Sequence, residues 1–119
     1  ERLLDARCTL KKNSDFRRLY SKGKSAVTPT LVVYTRRIKT DGNRVGFTVT
    51  TRLGHAVTRN RVRRRLREIY RLHEAELRRG AELVVVARSR SVTAAYSELE
   101  RDFLRACRKL SLLPEDTAQ

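Results

Sequence analysis

Acidic residues are scarce in this 119-residue chain: 13 Asp and Glu stand against 28 Lys and Arg, giving a formal charge of +15. The acids present are also scattered. Asp15 suits the positive end of a helix, Asp41 lies in a turn, and Glu98, Glu100 and Asp102 read as surface charge on a late helix. No close carboxylate pair stands on a convincing strand or loop site and no nuclease-type acid cluster stands out, which argues against catalysis by the protein itself. The two histidines, His55 and His73, share no motif with an acid or a nucleophile, and His73 reads as a half-buried packing residue. The two cysteines, Cys8 and Cys107, lie far apart with no Cys-x-x-Cys or Cys/His grouping. That argues against a zinc site and fits two free thiols in a reducing cytoplasm. A glycine-rich phosphate loop is missing, and no apolar run approaches the roughly 20 residues of a membrane span. The length holds one domain, with no repeat and no interdomain linker. The expectation is a single cytoplasmic domain over 1–119, with a loose arm at 1–9 and a frayed tail at 113–119.

What the chain does have is arginine, concentrated over residues 58–71, where seven arginines face one acid, Glu68. Read as a helix, Val62, Leu66, Ile69 and His73 are spaced four, three and four apart and share one stripe. At about 100° per residue, Asn60, Arg63, Arg64, Arg67 and Arg71 fall opposite, and Arg61 and Arg65 flank the stripe. Like charges one turn apart repel by roughly 0.2–0.5 kcal/mol per pair, so such a face calls for a polyanion. Arginine's planar fork grips phosphate oxygens in pairs. Nucleic acid is the first candidate. An anionic membrane is the second, weakened because this helix has no wide apolar face. The plain alternative is a solvated basic helix side. The Asn60 amide suits either a base edge or a neighbouring side chain.

The remaining pattern predicts an α+β layer. Asn13 suits a helix start and Gly23 a helix end, with Phe16, Leu19 and Tyr20 at helical spacing between them. Residues 24–30 read as a loop with room for a short strand near 25–28. Residues 31–35 are β-branched and read as a strand, followed by a turn signal at Asp41-Gly42-Asn43. In the next strand, 44–50, Val45, Phe47 and Val49 alternate with Gly46, Thr48 and Thr50. One of its faces is core, and the other is small and hydroxylated, with room for something to lie against it. A loop precedes the basic helix, which is expected to run to about Arg79 and stop at Gly80. The continuous apolar run 83–87 suits an interior strand buried on both faces. Tyr96, Leu99, Phe103, Ala106 and Leu110 mark a last amphipathic helix, with Cys107 among its core residues. The expected order is α-β-β-β-α-β-α, three helices on a sheet of about four strands.

The run Ala56-Val57-Thr58-Arg59-Asn60-Arg61-Val62-Arg63-Arg64-Arg65-Leu66-Arg67-Glu68 resembles the signature of the bacterial ribonuclease P protein family, with its Arg-Asn-Arg centre. Leu10-Lys11-Lys12-Asn13 with Asp15-Phe16 is similar to the family's first helix, and Tyr34-Thr35 to its aromatic-bearing strand. Arg44-Val45-Gly46-Phe47-Thr48-Val49-Thr50 resembles its Val-Gly-x-Ser-Val-Ser strand, and Leu53-Gly54-His55-Ala56-Val57 its loop into the basic helix. The likeness runs in order over about residues 9–110. In this chain Thr48, Thr50 and Thr51 stand where the family has serine, Arg52 where it has lysine, and Tyr20 where phenylalanine is common.

The resemblance implies a ribosomal-protein-like fold with an unusual left-handed β-α-β crossover, against the right-handed rule of about 98% of parallel crossovers. It implies a subunit of an RNA-based endoribonuclease that removes the 5′ leader of precursor tRNA. The catalytic RNA and its Mg2+ would carry the chemistry, with no protein catalytic residue, no protein-held metal site and no obligate protein partner. Arg59, Asn60, Arg61, Arg63, Arg64 and Arg67 would bind that RNA. Lys12, Phe16, Tyr20, Tyr34, Thr48, Thr50 and Arg52 would form the leader cleft. Aromatics beside a positive groove suit single-stranded RNA, where stacking contributes roughly 1–3 kcal/mol per base and tolerates any sequence. The competing readings are a ribosomal-type protein that only binds structured RNA, a DNA-binding regulator, and a protein nuclease. The last two lack, respectively, a helix-turn-helix pattern before residue 58 and an acid cluster.

Overall fold

The computed structural model describes residues 23–39 and 41–113. The helix expected from Asn13, the arm at 1–9 and Cys8 lie outside the described residues, as do 114–119. Four strands, β1 (Lys24–Val27), β2 (Leu31–Arg37), β3 (Arg44–Thr48) and β4 (Ala81–Ala87), form one mixed sheet in the order β1-β2-β4-β3. Two main helices, α1 (Ala56–His73) and α2 (Tyr96–Lys109), join them. Short 3-10 turns at Thr51–Leu53, Glu74–Glu76 and Ser89–Val92 fill the connections.

The strand at 24–27 forms because a tight turn folds it back on β2. Thr28 N–H donates to the Leu31 carbonyl at 2.9 Å, and the Thr28 hydroxyl accepts from Leu31 N–H at 3.1 Å. Pro29 between them pre-sets the backbone for such a turn. β4 is the interior strand that its apolar run predicted. It lies antiparallel to β2 and parallel to β3, so β2 and β3 do not touch despite being consecutive. The Asp41-Gly42-Asn43 turn therefore carries the chain past the start of β4 rather than closing a hairpin. Asn43 Oδ1 accepts the Ala81 N–H at 3.0 Å and fixes that passage. β3, α1 and β4 make a parallel β-α-β unit.

Both helices pack on one sheet face. Leu31, Val33, Val45, Leu83 and Val85 of the sheet share a core with Val62, Leu66 and Ile69 of α1 and with Leu99, Phe103 and Ala106 of α2. Each such aliphatic side chain contributes about 1.5–3 kcal/mol when fully buried. Tyr70, four residues after Leu66, extends the α1 stripe and is fully buried. Its ring stands edge-on to Phe47 at 6.2 Å and to Phe103 at 6.4 Å, tying strand, helix and helix together. Leu112 and Leu113 also reach the core.

Two expectations are corrected. α1 ends at His73, not near Arg79. The chain makes a 3-10 turn and then becomes extended at Leu77, whose side chain is buried, and Arg78 N–H donates to the Leu112 carbonyl at 2.8 Å. Burying Leu77 and meeting that carbonyl override the helical pattern. Asp102, expected as surface charge, is buried at 1% exposure, and its Oδ2 accepts both the hydroxyl and the amide of Thr30, at 2.6 and 3.2 Å.

Candidate nucleic-acid interface

The apolar stripe of α1 fixes which way its arginines point. With Val62, Leu66, Ile69 and Tyr70 buried, Asn60, Arg64, Arg67 and Arg71 are exposed on the opposite side. At 1.5 Å per residue the 18-residue helix presents them along a ridge of about 17 Å from Asn60 to Arg71. Arg61 and Arg65 flank the stripe and anchor the helix to the segment before α2. Arg61 Nη2 donates to the Val92 carbonyl at 3.0 Å, and Arg65 Nη1 to the Ala94 carbonyl at 3.3 Å. Arg59 Nε donates to the Gly54 carbonyl at 3.1 Å. Gly54 itself sits at φ 133°, a conformation that L side chains rarely adopt, and sets up the sharp entry into α1. Asn60 Oδ1 accepts from Arg63 Nη1 at 3.0 Å, so the amide steadies a neighbouring guanidinium.

Among the described residues no carboxylate pairs with Arg59, Arg61, Arg63, Arg64, Arg65, Arg67 or Arg71. The arginines not used as anchors face open recesses, one of about 310 Å3 lined by Asn60, Arg63, Arg64 and Arg67. The positive field is not offset at the helix start either. His55 at the N-cap makes no side-chain cap and no acid stands in the first turn, so the dipole adds to the arginines in favouring anions. Near the far end Glu68 lines the recess of Arg64, Arg67 and Arg71 without forming an ion pair, and Glu76 and Glu100 are engaged with His73. His73 touches Glu100 at 2.6 Å and Glu76 at 3.3 Å, so it is a half-buried residue that also clamps α1 to α2. Beside this clamp, burial first and then the charges of Glu68 and Glu100 hold the Tyr96 hydroxyl above its usual value, with Arg71 acting the other way.

The second sheet face carries the other predicted residues. Strand alternation puts Tyr34, Val84 and Gly46 in one register row, and Val32, Val86 and Thr48 in the next. Tyr34 and Thr48 therefore face the same side from opposite flanks of β4. Val84 lies buried between them with Tyr34 and Val86 packed against it. Thr50 and Arg52 are exposed just past the end of β3. Lys12, Phe16 and Tyr20 lie outside the described residues, so their relation to this face is untested. One further row was not foreseen from the sequence. Glu82 is buried and pairs with Arg36 at 3.0 Å and Arg44 at 3.1 Å, its register partners on β2 and β3. A lone polar residue opening an apolar run is the one signal in the sequence that could have pointed to it.

Residues 4–111 match the sequence model of the family described as Ribonuclease P. The chain is 41% identical over 108 residues to the ribonuclease P protein component of Natranaerobius thermophilus, covering 91% of this chain and 94% of that one. Its fold is similar to the Staphylococcus aureus ribonuclease P protein, with TM-score 0.83 and 30% identity over 90% of this chain and 98% of that one. A second Staphylococcus aureus structure, of a mutant described by defective mRNA degradation activity, aligns with TM-score 0.85 and 29% identity over 93% of this chain and 94% of that one.

Proposed function

The chain belongs to the ribonuclease P protein family, and from that premise we propose that it binds the catalytic RNA through α1 and the 5′ leader of precursor tRNA on the second sheet face. The observation that carries this is the α1 ridge: Arg64, Arg67 and Arg71 are exposed and converge on shared recesses, and although Glu68 lines one of these, none of the three forms an ion pair among the described residues. Phosphate oxygens are the groups such an array lacks. Arg59, Asn60, Arg61 and Arg63 belong to the same interface, partly as contacts and partly as struts. Tyr34 would stack a leader base, Thr48 and Thr50 would supply hydroxyls, and Arg52 would meet a phosphate at the rim. Lys12, Phe16 and Tyr20 complete that cleft in the proposal, with a first helix from Asn13 and a left-handed β3-α1-β4 crossover.

Among the described residues no three His, Cys, Asp or Glu side chains are placed to hold a metal ion. On the family resemblance, the proposal assigns Mg2+ mainly to the RNA and its substrate, and hydrolysis of the phosphodiester to that RNA. Among the described residues no helix is long and apolar enough to cross a membrane.

Reconstitution tests the proposal. Precursor tRNA is incubated with ribonuclease P RNA at low Mg2+, with and without the protein, and with the protein alone. The expected result is cleavage at the leader junction that the protein stimulates, and none by protein alone. Binding without stimulation favours the runner-up, a structured-RNA-binding protein with no part in cleavage. Metal-dependent cleavage by the protein alone would return the chemistry to the protein, a reading to which the mRNA-degradation description of the Staphylococcus aureus mutant gives some weight.

A further inference from the structure

A second cationic site lies away from both faces described above. At the corner where β1 begins, β2 runs on past its neighbour to Arg37, because Lys24 pairs with Thr35 and no β1 residue pairs beyond it. The loop at 78–81 and the turn after α2 close this corner into a recess of about 280 Å3. Lys24, Arg37, Arg78 and Arg79 stand around it, and Leu110 and Leu112 line its apolar side. All four cations are exposed, and among the described residues none has a carboxylate partner. The fifth, Arg36, is already held by Glu82.

The recess is built rather than incidental. Arg78 N–H donates to the Leu112 carbonyl at 2.8 Å and Ile38 N–H to the Gly80 carbonyl at 2.9 Å, so loop, turn and sheet edge are bonded to one another. Ser111 holds a positive φ of 63° and Gly80 one of 84°, which bend the two connections around the opening. The carbonyl end of α2, which would repel an anion, is occupied: Leu110 N–H, Ser111 N–H and Leu112 N–H donate to the Ala106, Arg108 and Cys107 carbonyls.

We infer that this corner is a separate RNA-backbone site that takes one phosphate with its ribose, the phosphate between Arg37, Arg78 and Arg79 and the sugar against Leu110 and Leu112. Three arginines around one opening suit phosphate oxygens held in pairs. The recess, at about 280 Å3, has room for a single nucleotide unit. The site is at the Ala81 end of β4, whereas Thr48 pairs near the opposite end, at Val86. It is also beyond the C-terminal end of α1. A folded RNA gripped by the α1 ridge would thus meet a further contact around the end of the sheet. The inference rests on the RNA-binding role proposed for α1.

The test is binding of the full chain to ribonuclease P RNA across a series of KCl concentrations. The variant R78A/R79A is compared with R101A/R105A, which removes the same charge from the exposed side of α2, and with R64A/R67A. With each single-strand phosphate contact adding about 0.7 to the slope of log K against log salt, and one phosphate held at this corner, R78A/R79A is expected to lower that slope by about 0.7. R101A/R105A should leave it unchanged, and R78K/R79K should restore it. An unchanged slope for R78A/R79A, or an equal fall for R101A/R105A, overturns the site. If R64A/R67A still lowers the slope in that case, only the corner site falls; if neither pair does, the RNA-binding role of α1 falls with it.

Discussion

Thr30 gives both its amide and its hydroxyl to one carboxylate 72 residues away, and this joins the start of β2 to the middle of α2. Asp102→Ala leaves two buried polar groups with no acceptor, at about 1–3 kcal/mol for each orphaned group. Chemical denaturation should show a clear loss of stability for Asp102→Ala and a smaller one for Asp102→Asn, which keeps an oxygen in place. Equal midpoints for wild type and Asp102→Ala would sink the assignment. Cys107 makes a different kind of statement. Burial pushes its thiol up to about 12 from 9.0, against a smaller opposing effect of Arg108. The folded state thus holds the proton more tightly than the unfolded state does. Stability from this group is complete below pH 9.0 and is lost as pH climbs towards about 12. Across that window wild type should lose stability faster than Cys107→Ala, and parallel curves would show that the thiol is not the titrating group. Tyr34 belongs to the proposed leader face, so Tyr34→Ala should weaken binding of precursor tRNA more than of mature tRNA. Equal losses would remove it from that face. Of these residues, the strand position of Tyr34 and the burial of Cys107 were legible from pattern, and the burial of Asp102 was not. A helical period shows that Asp102 borders the buried stripe, but its partner Thr30 lies across the fold, and long-range pairing leaves no local trace.

α1 is the element whose placement was written most plainly in the sequence. Apolar spacing fixed its buried stripe, and the arginine face followed by elimination, because every turn that buries Val62, Leu66 and Ile69 exposes Arg64, Arg67 and Arg71. Its end was not legible. Residues 74–79 keep helix-forming character, yet the turn into β4 is set by burial of Leu77 and by the Leu112 carbonyl, both tertiary facts. The same limit applies to the sheet: the apolar run of β4 announced an interior strand, but nothing local said that it would separate β2 from β3. For the helix, Arg64→Ala and Arg67→Ala should each weaken RNA binding across sequences and reduce the salt slope by about one. Neither side chain meets a carboxylate among the described residues, so these changes should leave the midpoint of unfolding near that of wild type. A slope that stays put, or a large fall in stability, would reassign these arginines from phosphate contact to packing.

On the scale of the whole chain, charge is separated from its few counterions. The acids with partners among the described residues tie elements to one another: Glu82 to Arg36 and Arg44, Glu100 to His73, Glu98 to Arg90. That leaves the α1 ridge and the corner site to repel themselves within a net charge of +15. Raising monovalent salt from about 0.01 to about 0.1 M shortens the screening length from about 30 to about 10 Å. The free protein should therefore melt at a higher temperature as salt rises over that range, because screening relieves repulsion that the fold concentrates. Its complex with RNA should move the opposite way. A saturating RNA adds about 2.7 kcal/mol at a hundredfold excess over Kd, and salt removes that contribution as counterions compete for the same phosphates. The two melting curves should approach each other as salt increases. A free protein whose melting temperature falls with salt would mean that the internal ion pairs outweigh the unpaired arginines, and the case for a polyanion as the missing counter-charge would go with it.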